Sequence, residues 1–352
     1  MEKDISKVHT HEELDQLLDN SKLFITDTFA EPPEVIKVGD SVIATLGNFS
    51  ASTGKAKSKK TFNISALVAS ALSKTPILMY KTSLPASKNK ILYIDTEQSA
   101  CHCLKVMKRI FRLAGLPMTK HPDNLEFLML RMYPPEKRLA MIEREIYKAD
   151  DIGLVIIDGI RDLAYDINSP SEATTLISRL MKWTDERKIH IHTVLHQNKT
   201  DDNSRGHLGT ELNNKAETVL QVVKDNDNKE LSVVSAVHIR DIEFEPFAFT
   251  INADALPELV DDYESNSPAS PKKFFSYTEL SADEHRKALD IAFKDEKEQG
   301  YAELMESLQR GYAAIGYNYG TNKIKQLKVF LSNKQMVYQR AKRYSYNPDF
   351  YY

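Results

Sequence analysis

The stretch Leu46-Gly47-Asn48-Phe49-Ser50-Ala51-Ser52-Thr53-Gly54-Lys55-Ala56-Lys57-Ser58-Lys59-Lys60-Thr61-Phe62 governs the reading of this chain. A phosphate-binding loop needs a strand, a tight turn with free backbone N–H groups, then a lysine and a hydroxyl opening a helix. The donors and the positive helix end cradle an anionic phosphate, and the hydroxyl binds Mg²⁺. Counted from Gly54, Lys60 and Thr61 fall at the required spacing, with Lys59 in place of the second glycine. The rival register, with Gly54-Lys55 as the Gly-Lys pair, fails because Ala56 has no hydroxyl and position 49 is Phe. If the Lys59 position requires a positive φ, a lysine there costs roughly 1–2 kcal/mol. Lys55, Lys57, Lys59 and Lys60 around a polyanion would offset this, at on the order of 1–4 kcal/mol per close contact. The candidate nucleotide ligands are therefore Gly54, Lys55, Ala56, Lys57, Ser58, Lys59, Lys60, Thr61 and Phe62. Taken alone, these residues read equally as a solvated basic loop.

Outward from the loop, short apolar runs alternate with helical patterns. Strands are expected at 41–46, 90–95, 125–131, 153–158 and 189–196, with helices at 61–73, 100–114, 136–149 and 171–187. This alternation implies crossover connections and a mostly parallel sheet covered by helices on both faces. After His196 a polar loop is expected from 198 to 214, then three antiparallel strands at 217–224, 230–240 and 244–251.

The ends of these strands carry the remaining chemistry. Ile91-Leu92-Tyr93-Ile94-Asp95-Thr96-Glu97 ends in acids, and a carboxylate there polarises an attacking water. Leu154-Val155-Ile156-Ile157-Asp158 has the shape of a strand whose aspartate reaches Mg²⁺, so Thr61 and Asp158 are the candidate metal residues. Thr193-Val194-Leu195-His196-Gln197-Asn198 sets polar groups at a further strand end. Ligands of open parallel sheets bind outside those carboxyl ends.

On these residues the chain resembles the RecA-like P-loop ATPases, and within them the RepA-type hexameric plasmid helicases and RepA-like ATPases of bacterial mobile elements. The resemblance spans roughly residues 30 to 255. It implies a RecA-like core using ATP and Mg²⁺, with Lys60 and Thr61 in the phosphate and metal roles, Glu97 as general base, Asp158 as the metal-directed acid and His196 as the γ-phosphate sensor. It also implies an arginine supplied by a neighbouring subunit. Arg205, in Asn203-Ser204-Arg205-Gly206, matches that segment, and Arg240 is a second candidate that a structural ion pair with Asp241 or Glu243 would equally explain. A metabolic kinase with a similar loop is disfavoured, because no lid or acceptor-substrate segment is evident.

Composition bounds the rest. The chain has 352 residues, 41% hydrophobic and 28% charged, with a formal net charge of −3. A nucleic-acid site must then be a local patch. The two cysteines, Cys101 and Cys103, are too close for a disulfide framework and too few for structural zinc. Cys101-His102-Cys103 begins a helix, where neighbouring side chains diverge, and His190-Ile191-His192 lies on a strand with no evident acidic partner. Both read as structural, and Trp183 reads as core. The opening residues carry charge rather than an apolar signal, and no run approaches the ~20 apolar residues of a membrane span. A cytoplasmic location is expected.

The polar stretch 261–273 reads as a linker. Beyond it, residues 301–352 carry eight Lys/Arg against three acids, with tyrosines interleaved. Helices at 281–299, 301–314 and 321–333 precede a strand-like segment at 335–346, the outline of a winged helix-turn-helix. Lys323, Lys325, Lys328, Arg340, Lys342 and Arg343 are its candidate DNA contacts; a helical packing domain with a basic solvent face is the plainer alternative. The organisation read is thus an N-terminal helix and arm (1–40), an ATPase core (41–260), a linker (261–276) and a winged-helix-like DNA-binding domain (277–352). Two functions fit: a hexameric helicase or replication ATPase acting on single-stranded or duplex DNA, or a nucleotide-gated DNA-binding regulator or loader that unwinds nothing.

Overall fold

The computed structural model describes residues 10–197, 206–225, 228–260, 263, 280–317 and 319–350. The chain divides into two units, residues 1–33 and 34–352. The first holds α1 (His11–Asn20), opened by a capping box in which Thr10 and Glu13 each accept the other's backbone N–H. None of its residues is buried.

In the second unit the chain runs through β1 (Glu34–Val38), β2 (Ser41–Thr45), β3 (Phe49–Gly54), α2 (Lys60–Ser73), β4 (Tyr80–Thr82), β5 (Lys90–Asp95) and α3 (Ala100–Leu113). It continues through β6 (Leu125–Met129), α4 (Pro135–Lys148), β7 (Ile152–Asp158), α5 (Pro170–Arg187), β8 (His190–His196), α6 (Gly206–Lys215), β9 (Thr218–Lys224), β10 (Ser232–Ile239), β11 (Phe247–Ile251) and β12 (Pro257–Leu259). A nine-stranded sheet of order β12-β11-β10-β9-β3-β8-β7-β5-β6 forms the centre. The pairs from β9 to β6 are parallel, and β9 to β12 are joined antiparallel, as the three late strands were expected to be. Alternating side chains feed two cores. Ile91 and Tyr93 face α2 and α3, whereas Leu92 and Ile94 face α4, α5 and α6. Trp183 is fully buried in the second core.

Several sequence expectations change. The strand at 41–46 is β2, in a separate antiparallel sheet of order β2-β1-β4, and the strand that feeds the loop is β3. Phe-Ser-Ala-Ser-Thr-Gly, small and hydroxylated, lies outside every strand expected from the sequence. It is nevertheless a central strand, because Ser50 bonds His190 and His192 (both 2.7 Å) and Ser52 bonds His192 (2.9 Å) on adjacent β8. Residues 34–38, grouped by sequence with the N-terminal arm, pair into the body as β1. The expected polar loop is helical from Gly206, because Leu208 and Leu212, one turn apart, are buried in the second core beside α5.

The last segment contains α7 (Ala282–Ala292), β13 (Glu298–Gln299), α8 (Tyr301–Ala314), α9 (Thr321–Asn333), β14 (Val337–Arg340) and β15 (Arg343–Tyr346). The expected single strand is a hairpin, and β13 completes a three-stranded sheet of order β13-β15-β14. Ala288, Leu304, Leu308, Ile324, Leu327 and Leu331 belong to its own apolar cluster. Among the described residues, no helix is long and apolar enough to cross a membrane.

Candidate functional site

The loop from Gly54 to Lys60 joins β3 to α2 at the carboxyl end of the parallel strands. Gly54 is required by a close approach: a Cβ there would stand 2.2 Å from the Val222 carbonyl oxygen on β9. At the other end Lys59 is left-handed (φ 68°, ψ 28°) and no side chain caps α2. The position is one that glycine ordinarily fills, so the substitution carries the backbone strain expected of it. The loop and the first turn of α2 border a cleft of about 280 Å³, lined among others by Lys57–Phe62, Glu97, Asp158 and His196.

Lys60 is buried, and its Nζ donates to the carbonyls of Gly54 (2.7 Å) and Lys55 (2.9 Å). Burial lowers its pKa to about 8, against the opposing pull of Asp158 and Glu97. Nζ also lies 3.1 Å from Nδ1 of His196. With Nδ1 accepting from the ammonium, Nε2 of His196 bears the proton, and it faces Oε1 of Glu97 at 3.6 Å. That contact holds the Glu97 carboxyl below its ordinary range despite burial. Thr61 donates to Oδ2 of Asp158 at 3.0 Å. Burial, reinforced by the Asp95 charge, pushes Asp158 up to about 6. Lys60, Thr61, Glu97, Asp158 and His196, drawn from four chain segments, thus converge on one cleft.

Several supporting residues escaped the sequence reading. Tyr93 donates to Oδ2 of Asp158 (2.9 Å); its one sequence signal is a buried phenol, in need of a partner, in an aliphatic strand. Asp95 accepts from the backbone N–H groups of Glu97 (3.0 Å) and Gln98 (2.7 Å), so it shapes the turn that presents Glu97. Gly159 (φ +109°) lies under that turn: a Cβ would meet Thr96 Oγ1 at 2.3 Å and Glu97 Cγ at 3.0 Å. Arg109 covers the Phe62 ring at 3.5 Å on the cleft wall.

Other candidates lie elsewhere. Arg205 and Asn198 fall outside the described residues, as does the loop 199–203. Arg240 is exposed and follows Ile239, which pairs with Thr218 at the amino end of β9, the end of the parallel strands opposite the phosphate loop. There its charge acts on Glu217, which is bonded to Thr45; Asp241 instead accepts the Val42 N–H. Cys101 is exposed while Cys103 is buried, and His102 bonds Ser99. His190 does have an acid within reach, Glu217 at 3.9 Å, but its Nδ1 contacts the Thr45 carbonyl oxygen at 2.9 Å.

In the C-terminal segment Lys325, Arg340, Lys342 and Arg343 are exposed. The ammonium of Lys328 sits over the Tyr344 ring at 5.0 Å, that of Lys323 over Tyr319 at 5.7 Å, and Arg343 donates to the Glu298 carbonyl. Ala341 and Lys342 both have positive φ, forming the two-residue turn between β14 and β15.

A phosphate loop on a parallel sheet, with an acid at each of two neighbouring strand ends, is the arrangement of a nucleotide hydrolase. A family model described as AAA domain matches residues 11–202, more than half of the chain. The chain belongs to the AAA-domain family of P-loop ATPases. The AAA domain brings nucleotide binding, usually with Mg²⁺, and ATP hydrolysis as its general activity; the match ends before α6 and the antiparallel strands. A comparison with curated protein sequences gives no match. The donor set suits the nucleotide: the uncapped α2 N-terminus and Lys60 face the cleft, and the hard oxygens of Thr61 and Asp158 meet at its floor.

Proposed function

We propose that the protein is a Mg²⁺-dependent ATPase of the RepA type that couples hydrolysis at the Lys60–Asp158 cleft to DNA, as an oligomeric ring of a plasmid or other mobile element. The observation that carries this reading is the convergence of Lys60, Thr61, Glu97, Asp158 and His196. Mg²⁺, when bound, neutralises charge between the phosphates. Thr61 and Asp158 would hold it, and Lys60 with the α2 N–H groups grips the β- and γ-phosphates. Glu97 is held ionised and accepts the proton of the attacking water. His196 links Glu97 to Lys60, so it registers whether the γ-phosphate is present. Arg205 of a neighbouring copy completes the site, with Arg240 as the second candidate; Arg240's distance from its own loop suits a residue serving a neighbour.

The order α7-β13-α8-α9-β14-β15 supports a winged-helix DNA-binding domain over 277–352, with α9 in a groove and the Ala341–Lys342 hairpin as the wing. Lys325, Arg340 and Lys342 are its principal contacts. Lys323, Lys328 and Arg343 contribute at the edges. Residues 261–276 link it to the core.

Sizing by light scattering with and without ATP and single-stranded DNA, followed by strand displacement, tests the proposal. A large ATP-dependent particle that unwinds DNA supports it. DNA binding gated by nucleotide without displacement makes the protein a regulator or loader, a reading that the strained Lys59 corner favours. A monomer indifferent to both ligands overturns both.

A further inference from the structure

Lys59 breaks the local rule of its loop, and what it gains is visible in its contacts. Its Nζ donates to the Glu230 carbonyl at 2.7 Å, in the turn between β9 and β10. That turn is itself braced, since Glu230 donates its N–H to Oδ1 of Asn228 and Leu231 to the Asn228 carbonyl, both at 3.0 Å. The lysine carbonyl in turn accepts the N–H groups of Phe62 (3.0 Å) and Asn63 (3.2 Å), so its backbone sets the first turn of α2. The opposite end of the loop leans on the same hairpin, because Gly54 packs against the Val222 carbonyl. A non-glycine residue in the left-handed region persists only where its surroundings fix it.

We propose that Lys59 is a positioning residue for nucleotide binding: tied to Glu230, it fixes the left-handed corner of the phosphate loop against the β9–β10 hairpin and keeps the α2 N-terminus aimed at the phosphates. This rests on the nucleotide reading above. A glycine at this position adopts the same φ without strain but leaves the corner untethered, so the lysine exchanges backbone ease for a fixed loop. The tether orders the loop as a whole, and it therefore favours ADP and ATP equally.

The test is nucleotide affinity, measured by calorimetry with Mg²⁺-ADP and a non-hydrolysable ATP analogue, on wild type, Lys59→Met, Lys59→Gly and Lys59→Arg. Lys59→Met is expected to weaken both nucleotides by about tenfold, the loss of one charge-assisted hydrogen bond. Lys59→Arg recovers most of this. Lys59→Gly loses affinity as well, yet melts no lower than wild type without nucleotide, because strain is relieved as the tether goes. In Lys59→Gly a purely structural lysine would lower melting and affinity together, and that result overturns the proposal. So does a loss confined to the ATP analogue, which would put Lys59 on the γ-phosphate itself, or unchanged affinity in Lys59→Met. If wild type binds neither nucleotide, it is the reading of the site that fails instead.

Discussion

Tyr93 and Thr61 donate to the same oxygen, Oδ2 of Asp158, at 2.9 and 3.0 Å. The buried carboxyl, drawn up to about 6, is kept from rising further by these two hydroxyls. The cleft thus holds one acid that ionises late and one lysine that neutralises early, at about 8.

In the proposed mechanism metal binding needs Asp158 ionised and phosphate binding needs Lys60 charged. kcat/KM for ATP is therefore expected to rise as pH passes about 6 and to fall above about 8. Tyr93→Phe removes a donor that favours the ionised carboxyl, so the acid limb should move to higher pH while the basic limb stays. An unmoved acid limb would take Tyr93 out of this role.

Lys60→Ala is expected to abolish turnover and to weaken nucleotide binding. Glu97→Gln should keep binding while hydrolysis falls by about 10²–10⁴-fold, the usual worth of a general base. Single-turnover hydrolysis beside equilibrium binding separates the two, and a near-normal rate in Glu97→Gln would leave Glu97 without its assigned part.

Gly159→Ala puts a methyl against Thr96 Oγ1 and Glu97 Cγ. Displacement of Glu97 by a fraction of an ångström should cut kcat by about tenfold or more while nucleotide affinity stays near wild type. Equal losses in both would point to collapse of the fold around β7.

Burial holds His190 near 4 and His192 near 3, both neutral in the folded chain. The unfolded chain binds protons below about pH 6.5 that the fold refuses. Stability is thus intact above that pH and falls as pH drops towards 4, by up to about 1.4 kcal/mol per unit for each histidine. Urea midpoints at pH 7 and pH 5 should differ markedly in wild type and less in His192→Gln. An equal difference in the two proteins would show that other groups set the acid limit.

On the proposed DNA-binding role of the C-terminal segment, Lys325→Ala and Lys342→Ala should weaken DNA binding across sequences. Each lost phosphate contact should flatten the log affinity–log salt slope by about 0.9. Lys328→Ala should act mainly on thermal stability, because its ammonium lies over Tyr344. Fluorescence anisotropy at several salt concentrations checks the first, and a melting curve the second.

The chain spacing alone determined much of the site. Gly54, Lys60 and Thr61 are set by a loop count and Asp158 by the apolar run it ends, whereas singling out Glu97 and His196 among the polar residues at their strand ends came from the family resemblance. The helices from α2 to α5 and strands β5 to β8 followed from periodicity to within a few residues. Tertiary structure alone decided that Phe49–Gly54 is the central strand, because the pairing of Ser50 and Ser52 with two histidines 140 residues away is invisible to any local window. It likewise decided that Tyr93 serves Asp158, that Gly159 underlies Glu97, and that Lys59 answers to Glu230. Each of these depends on which strands lie side by side. Sequence spacing fixes what a segment prefers on its own, whereas a buried polar group takes its partner from whatever the packed sheet brings within hydrogen-bonding reach.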